Sequence, residues 1–287
     1  NLLSALKQSG CKNILVSGKL SERSAHRFKT FSRFAKKLFS RFDLLCIQNE
    51  EHYQRFLPLV PDPTKLHVTG NLKLDIEPQK VDIDLWRKKV AARLPIITIS
   101  CTHDPEEEML LDALDSPNWL IFLVPRHPER FQEIAQLLNR KKIPFTRWSQ
   151  LNPEGKRVIL IDAMGQLPIC YSLSRLAIVA GSYIPKIGGH NVLEPCLYGI
   201  PAFFGPHMFA QAEFAARVLE AGAGRQVPLQ ALRQTISNFL NDSQSEAEMK
   251  QAANRLILQG RGATSRVLER LNVSEPVPKF HTLGQRT

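Results

Sequence analysis

"LAIVAGSYIPKIGGHNVLEPCLYGIPAFF", residues 176–204, opens on an apolar run, breaks at Gly181-Ser182, crosses two adjacent glycines, restarts at Asn191 and closes on a second apolar run. Two short apolar runs joined by a Gly-rich break and a helical restart spell a parallel β–α–β unit, whose strands are buried on both faces and so read as continuous apolar runs. That one unit decides the fold class. Working outward, runs of the same kind recur at 13–17 (NILVS), 44–48 (LLCIQ), 66–69 (LHVT), 96–100 (IITIS), 120–124 (LIFLV) and 158–161 (VILI). Segments with charged faces lie between them, as at 104–115, 130–141 and 210–221. Strands alternating with helices predict an α/β protein with parallel sheets.

The polar stretch "DIEPQKVDID" (75–84) is the best linker candidate,. It divides the chain into 1–77, whose few strand–helix units read as the C-terminal part of a Rossmann-like domain, incomplete in this chain, and 78–271, a full Rossmann-like domain. Residues 272–287 read as a flexible tail. The first residue is Asn1 and a helical pattern starts at once, so the sequence reads as the later part of a longer polypeptide.

Of 287 residues, 43% are apolar and 23% charged, enough for a sizeable core, and the formal net charge of +11 suits an acidic partner: nucleic acid, a phosphorylated small molecule or an anionic membrane,. The five cysteines include no C-x-x-C pair. They read as buried thiols, with no disulfide framework and no zinc site. No apolar run approaches the roughly 20 residues of a membrane helix. The segment 26–42 reads as one helix, with Phe28, Phe31, Ala35, Leu38 and Phe42 as its apolar stripe and Arg27, Lys29, Arg33, Lys36, Lys37 and Arg41 elsewhere. Such a face is either a solvated surface or a contact for anionic lipid head groups or a phosphorylated acceptor.

Open parallel sheets bind ligands beyond the carboxyl ends of their strands, so the residues just after each apolar run are the site candidates. Arg126, between Pro125 and His127-Pro128, has a planar fork suited to phosphate or to a surface ion pair with Glu129. His103 and His127 could act as acids or bases, or serve as structural histidines. Asn191 and Glu194 spell a capping box, which needs no ligand. The preceding Gly188, Gly189 and His190 and the position after a strand also allow an anion or nucleotide cradle, with Glu194 suited to ribose hydroxyls. Lys73, after the last strand of the first part, faces an interdomain cleft in this reading.

Together, "LVPRHPERF" (123–131), "DAMGQL" (162–167), "VAGSYIPKIGGHNVLEP" (179–195) and "GPHMF" (205–209) resemble the Kdo (3-deoxy-D-manno-octulosonic acid) transferases of lipopolysaccharide assembly. So do "GKLSERS" (18–24), "QNEE" (48–51), "VTGNLKLD" (68–75) and "THDPEEE" (102–108). The resemblance implies a GT-B glycosyltransferase that moves Kdo from CMP-Kdo to a lipid A precursor, with inversion, at the cytoplasmic face of the bacterial inner membrane. It implies no cofactor, no metal and no nucleic acid. By it, Pro125, Arg126, Met164, Gly165, Gln166, Asn191, Val192, Leu193 and Glu194 contact CMP and Lys73 stabilises the transition state. The family's general base, a glutamate, and its membrane anchor would precede Asn1, which implies an inactive fragment. Gln166, Val192, Pro195 and Pro105 stand where the family has glutamate, proline, alanine and glycine. The anionic membrane surface is a partner candidate for the 26–42 segment. The competing readings are a GT-B glycosyltransferase or epimerase using a UDP-linked sugar, and a non-enzymatic basic module for lipid or nucleic acid.

Overall fold

The computed structural model describes residues 2–90 and 93–271, which form two compact units: residues up to 76 together with 260 onward, and 77–259. In unit 1, strands β1 (Ile14–Gly18), β2 (Leu44–Ile47) and β3 (Leu66–Val68) form a parallel sheet in the order β1-β2-β3. Side chains alternate across β2 as a pleat demands. Leu45 and Ile47 enter a core with Phe39, Phe56 and Leu59, whereas Leu44 and Cys46 face Val267 of helix Ala263–Arg270.

That last contact corrects the expected domain boundary. Residues 260–271 belong with the first unit, because Asp75 accepts N–H bonds from Gly262 (2.6 Å) and Thr264 while Arg266 donates to the Thr69 carbonyl at 2.8 Å. Burial pushes the Asp75 carboxyl up, but the Thr264 and Gly262 bonds hold it below the ordinary aspartate range. The residues read as a flexible tail, 272–287, lie outside the described ones.

The basic segment is two helices, Glu22–Thr30 and Ser32–Phe39, broken at Phe31. The continuous stripe expected over 26–42 is therefore interrupted. Phe28, Ala35, Leu38, Phe39 and Phe42 pack inward, but Phe31 and Phe34 stay 67% and 58% exposed.

Unit 2 holds seven parallel strands: β4 (Ile96–Thr102), β5 (Leu120–Pro125), β6 (Phe145–Arg147), β7 (Val158–Leu160), β8 (Leu176–Val179), β9 (Ala202–Phe204) and β10 (Gly224–Gln226). Their order is β10-β9-β8-β4-β5-β7-β6. Every residue of β5 is buried, with Ile121 and Leu123 in a core on one face and Phe122 and Val124 in a core on the other. The chain leaves β4 toward β5 and later returns on its other side with β8, so the topological switch point lies between β4 and β8. Crevices at such points are where open α/β sheets bind ligands. No described helix is long and apolar enough to cross a membrane.

Candidate functional site

Three loops meet at the carboxyl ends of β4, β5 and β8, and two neighbouring glutamates tie them together. Glu106, fully buried, accepts N–H bonds from Gly181 (2.7 Å) and Tyr183 (2.9 Å) after β8 and from His103 (3.2 Å) after β4. Burial raises its carboxyl above the ordinary glutamate range, while the Tyr183, Gly181 and His103 bonds pull the other way. Glu107, also buried, takes a 2.6 Å bond from Arg130, which joins the loop after β4 to the loop after β5. Acidic residues in the first turn of helix Glu106–Ala113 suit the helix dipole, and that ordinary signal hid their bridging role in the sequence,.

Arg126 sits where β5 ends, its backbone N–H bonded to the Thr102 carbonyl at 3.1 Å. The alternative of a surface pair between Arg126 and Glu129 is not formed: Glu129 lies 3.7 Å from His127 Nδ1. Arg126 is exposed and has no ion pair among the described residues. Its charge reaches several neighbours. Burial raises the Glu194 carboxyl and Arg126 opposes that rise; burial also lowers His190, and Arg126 lowers it further. His103 is depressed to about 4, first by burial and then by His190, His127, Arg130 and Arg126. Burial pushes the Cys101 thiol up to about 12, with Glu194 adding to the rise. It is no thiolate nucleophile at neutral pH.

The Gly188–Glu194 stretch departs from the capping box. Asn191 Oδ1 accepts from Leu193 N–H at 3.1 Å, two residues on, and the helix Leu193–Cys196 is a single turn. With Pro195 inside it, that turn sums few peptide dipoles, so electrostatic help from a helix start is small. The adjacent glycines make room for protein: a side chain at Gly188 would meet Phe209 and one at Gly189 would meet Met208, with φ of +84° and +86°. The loop after β8 is thereby laid against the loop after β9, fastened by Ala210 N–H to the Gly188 carbonyl (3.0 Å) and Gly205 N–H to Ser182 Oγ (2.8 Å). Gly205 is the part of that seam held against backbone. A Cβ there would stand 2.4 Å from the Ser182 carbonyl oxygen, a backbone atom that cannot rotate away. Gly205→Ala is expected to destabilise unit 2 by about 1–3 kcal/mol as an overpacking change, read as a lowered melting temperature; an unchanged one contradicts the packing argument.

Met164 is 58% exposed after β7, and Gln166 folds back to donate to the Met164 carbonyl at 3.1 Å. Pro125 is the buried last residue of β5, and Val192 and Leu193 are buried apolar residues. Lys73, exposed in unit 1, sits on the 3-10 turn Leu72–Leu74, whose first turn Asn71 caps through a 3.0 Å bond to the Lys73 N–H. Sequence reasoning missed the His103–His190 contact: their Nε2 atoms are 2.7 Å apart across 87 residues, which no local pattern announces. No cluster of metal-ligating side chains occurs among the described residues.

Comparison with known proteins bears on these residues. A family model described as "3-Deoxy-D-manno-octulosonic-acid transferase (kdotransferase)" matches residues 1–76. A 3-deoxy-D-manno-octulosonic acid transferase of Chlamydophila psittaci is 36% identical over 231 residues, covering 78% of this chain and 53% of the relative. One from Haemophilus influenzae is 33% identical over 287 residues, covering 94% of this chain and 66% of the relative. The chain thus spans about half to two thirds of these relatives' length. Among solved structures, the C-terminal CMP-Kdo binding domain of WaaA from Acinetobacter baumannii is similar at 27% identity and TM-score 0.58, over 61% of this chain and 95% of that one. Anabaena Alr3699/HepE in complex with UDP and glucose shares 19% identity at TM-score 0.55, covering 94% of this chain and 74% of that one, a likeness of fold alone.

Proposed function

The chain belongs to the Kdo transferase family and has the GT-B type of fold, and from that premise we propose that unit 2 binds CMP-Kdo for inverting transfer of Kdo to a lipid A precursor. The observation that carries the reading is Arg126: an exposed guanidinium outside any described ion pair, at the end of β5, beside the switch point and within electrostatic reach of Glu194. Leaving-group phosphate charge grows as the sugar–phosphate bond breaks, and a preorganised cation stabilises that state more than the ground state. In this reading Arg126 takes the phosphate. Glu194, held up by burial and down by Arg126, takes the ribose hydroxyls. Pro125, Met164, Gly165, Gln166, Asn191, Val192 and Leu193 supply the remaining CMP contacts, with Gly188, Gly189 and His190 as the supporting loop. Lys73 supplies further positive charge to the transition state. Lys73→Ala in an enzyme of full family length is the test: kcat falls with little change in CMP affinity, and an unchanged kcat removes the role.

An anionic membrane surface, the cytoplasmic face of the inner membrane, is the partner proposed for unit 1. Exposed Phe31 and Phe34 stand among exposed Arg27, Lys29, Arg33, Lys36 and Lys37, a pairing of aromatic anchors with cations suited to an acidic interface,. Burying one phenylalanine side chain contributes about 1.5–3 kcal/mol. The double change Phe31→Ser with Phe34→Ser is therefore expected to weaken binding to phosphatidylglycerol-containing vesicles at least about tenfold. Equal co-sedimentation of variant and parent would remove this surface from the account.

A further inference from the structure

The His103–His190 contact is a built feature that CMP binding does not explain. Both residues are half-buried at the switch point, their ring planes are within 7° of parallel and their centroids are 5.0 Å apart, so the Nε2 atoms meet edge to edge. At 2.7 Å one Nε2 carries a hydrogen and the other accepts it, so the rings sit in opposite tautomers,. The fold holds them there. Glu106 ties the His103 N–H to the Gly181 N–H, Gly189 N–H bonds the Gly181 carbonyl at 2.8 Å, and a Cβ on Gly181 would stand 2.7 Å from His190 Cδ2. A glycine with φ of +71° leaves room for that ring.

Resting on the reading of unit 2 as a CMP-Kdo site, we propose that His103 and His190 form a proton-accepting pair that recognises the carboxylate of the donor's acidic sugar. A 2-ulosonic acid carries its carboxylate on the carbon that bears the nucleotide phosphate, so the ligand brings two adjacent anions. A single guanidinium grips one of them bidentately. Arg126 takes the phosphate, and the second anion falls to the neighbouring rings. In the free protein the pair is neutral, His103 being depressed to about 4 by burial and by the positive or polar groups facing it: His190, His127, Arg130 and Arg126. His127 also faces His190, while Glu194 faces Arg126 from the other loop. An anion at contact distance reverses that depression. The proton comes from solvent and enters at the free Nδ1 of the ring whose Nε2 already donates. The Nε2–H···Nε2 bond then becomes charge-assisted and survives. A second proton would set two N–H groups against each other and break the pair.

Calorimetry of the full chain near pH 7.5, in buffers of different ionisation heat, with CMP-Kdo and with CMP, tests this. CMP-Kdo is expected to draw roughly one proton from the buffer, and CMP, which lacks the carboxylate, much less. In His103→Gln and His190→Gln the uptake disappears and the preference for CMP-Kdo over CMP falls about tenfold, the worth of one charge-assisted bond. Histidine-ring ¹⁵N spectra of the parent with saturating CMP-Kdo give the same reading without a variant: one cationic ring is expected. Uptake that persists in both variants, equal uptake with CMP, or two neutral rings in the complex overturns the proposal. Failure of CMP itself to bind overturns the nucleotide reading instead, and this one with it.

Discussion

Arg126→Ala is expected to cost the chain about a hundredfold or more in CMP affinity, with its melting temperature unchanged. The two halves of that result follow from the same geometry. Arg126 has no ion pair among the described residues and its side chain is exposed, so folding loses little when the guanidinium goes. A phosphate bound by it loses two charge-assisted bonds, each contributing about 1.5–3 kcal/mol. Arg126→Lys keeps the charge and loses the planar fork, so it is expected to recover part of the affinity. Titration of both variants with CMP decides the matter: equal affinity in parent and Arg126→Ala would show that nothing at the end of β5 holds the nucleotide phosphate.

Glu106→Ala is expected to have the larger effect on stability, about 3–5 kcal/mol. It strips the acceptor at once from two buried N–H groups, those of Gly181 and Tyr183, and from the half-buried one of His103, and each buried donor left unmade costs about 1–3 kcal/mol, less than additively because the loops relax together,. The substitution also frees the loop after β4 from the loop after β8, so CMP binding falls with the fold. Glu106→Gln keeps the shape and one acceptor but turns an amide N–H₂ toward N–H donors. It is expected to fall between the two. Chemical denaturation of the three proteins checks the order. Stability of Glu106→Ala within 1 kcal/mol of the parent, small against the ~3 kcal/mol expected for a buried group deprived of its partner, would mean the carboxylate is not the tie between these loops.

Much of the fold was legible because parallel strands buried on both faces must be written as apolar runs. The runs at 96–100, 120–124, 158–161, 176–180 and 202–204 all fall on strands of unit 2. β6 and β10 escaped notice since they are edge strands of three residues, "FTR" and "GRQ", half open to water and free to be polar. Chain order assigns the helix Ala263–Arg270 to the second domain, whereas its attachment depends on Asp75, far upstream, and sequence distance hides such a return. At the site, strand-end position points to Arg126, while the capping-box spacing with Asn191 draws attention to Glu194, which lies in the single turn Leu193–Cys196. The bridging of Glu106 and Glu107 stayed hidden behind an ordinary acidic first turn. Gly188 and Gly189 were read as supporting a ligand loop, and their neighbours are Met208 and Phe209.

The proposed role of the carboxyl ends of β4, β5 and β8 is to hold a cytidine nucleotide. A competition titration of CMP against UDP on the full chain, repeated in Arg126→Ala, measures it directly. CMP is expected to displace UDP with at least about a tenfold advantage, about 1.4 kcal/mol, and Arg126→Ala to weaken the binding of both. Equal or tighter binding of UDP would contradict that role, and would assign the site to a different nucleotide sugar.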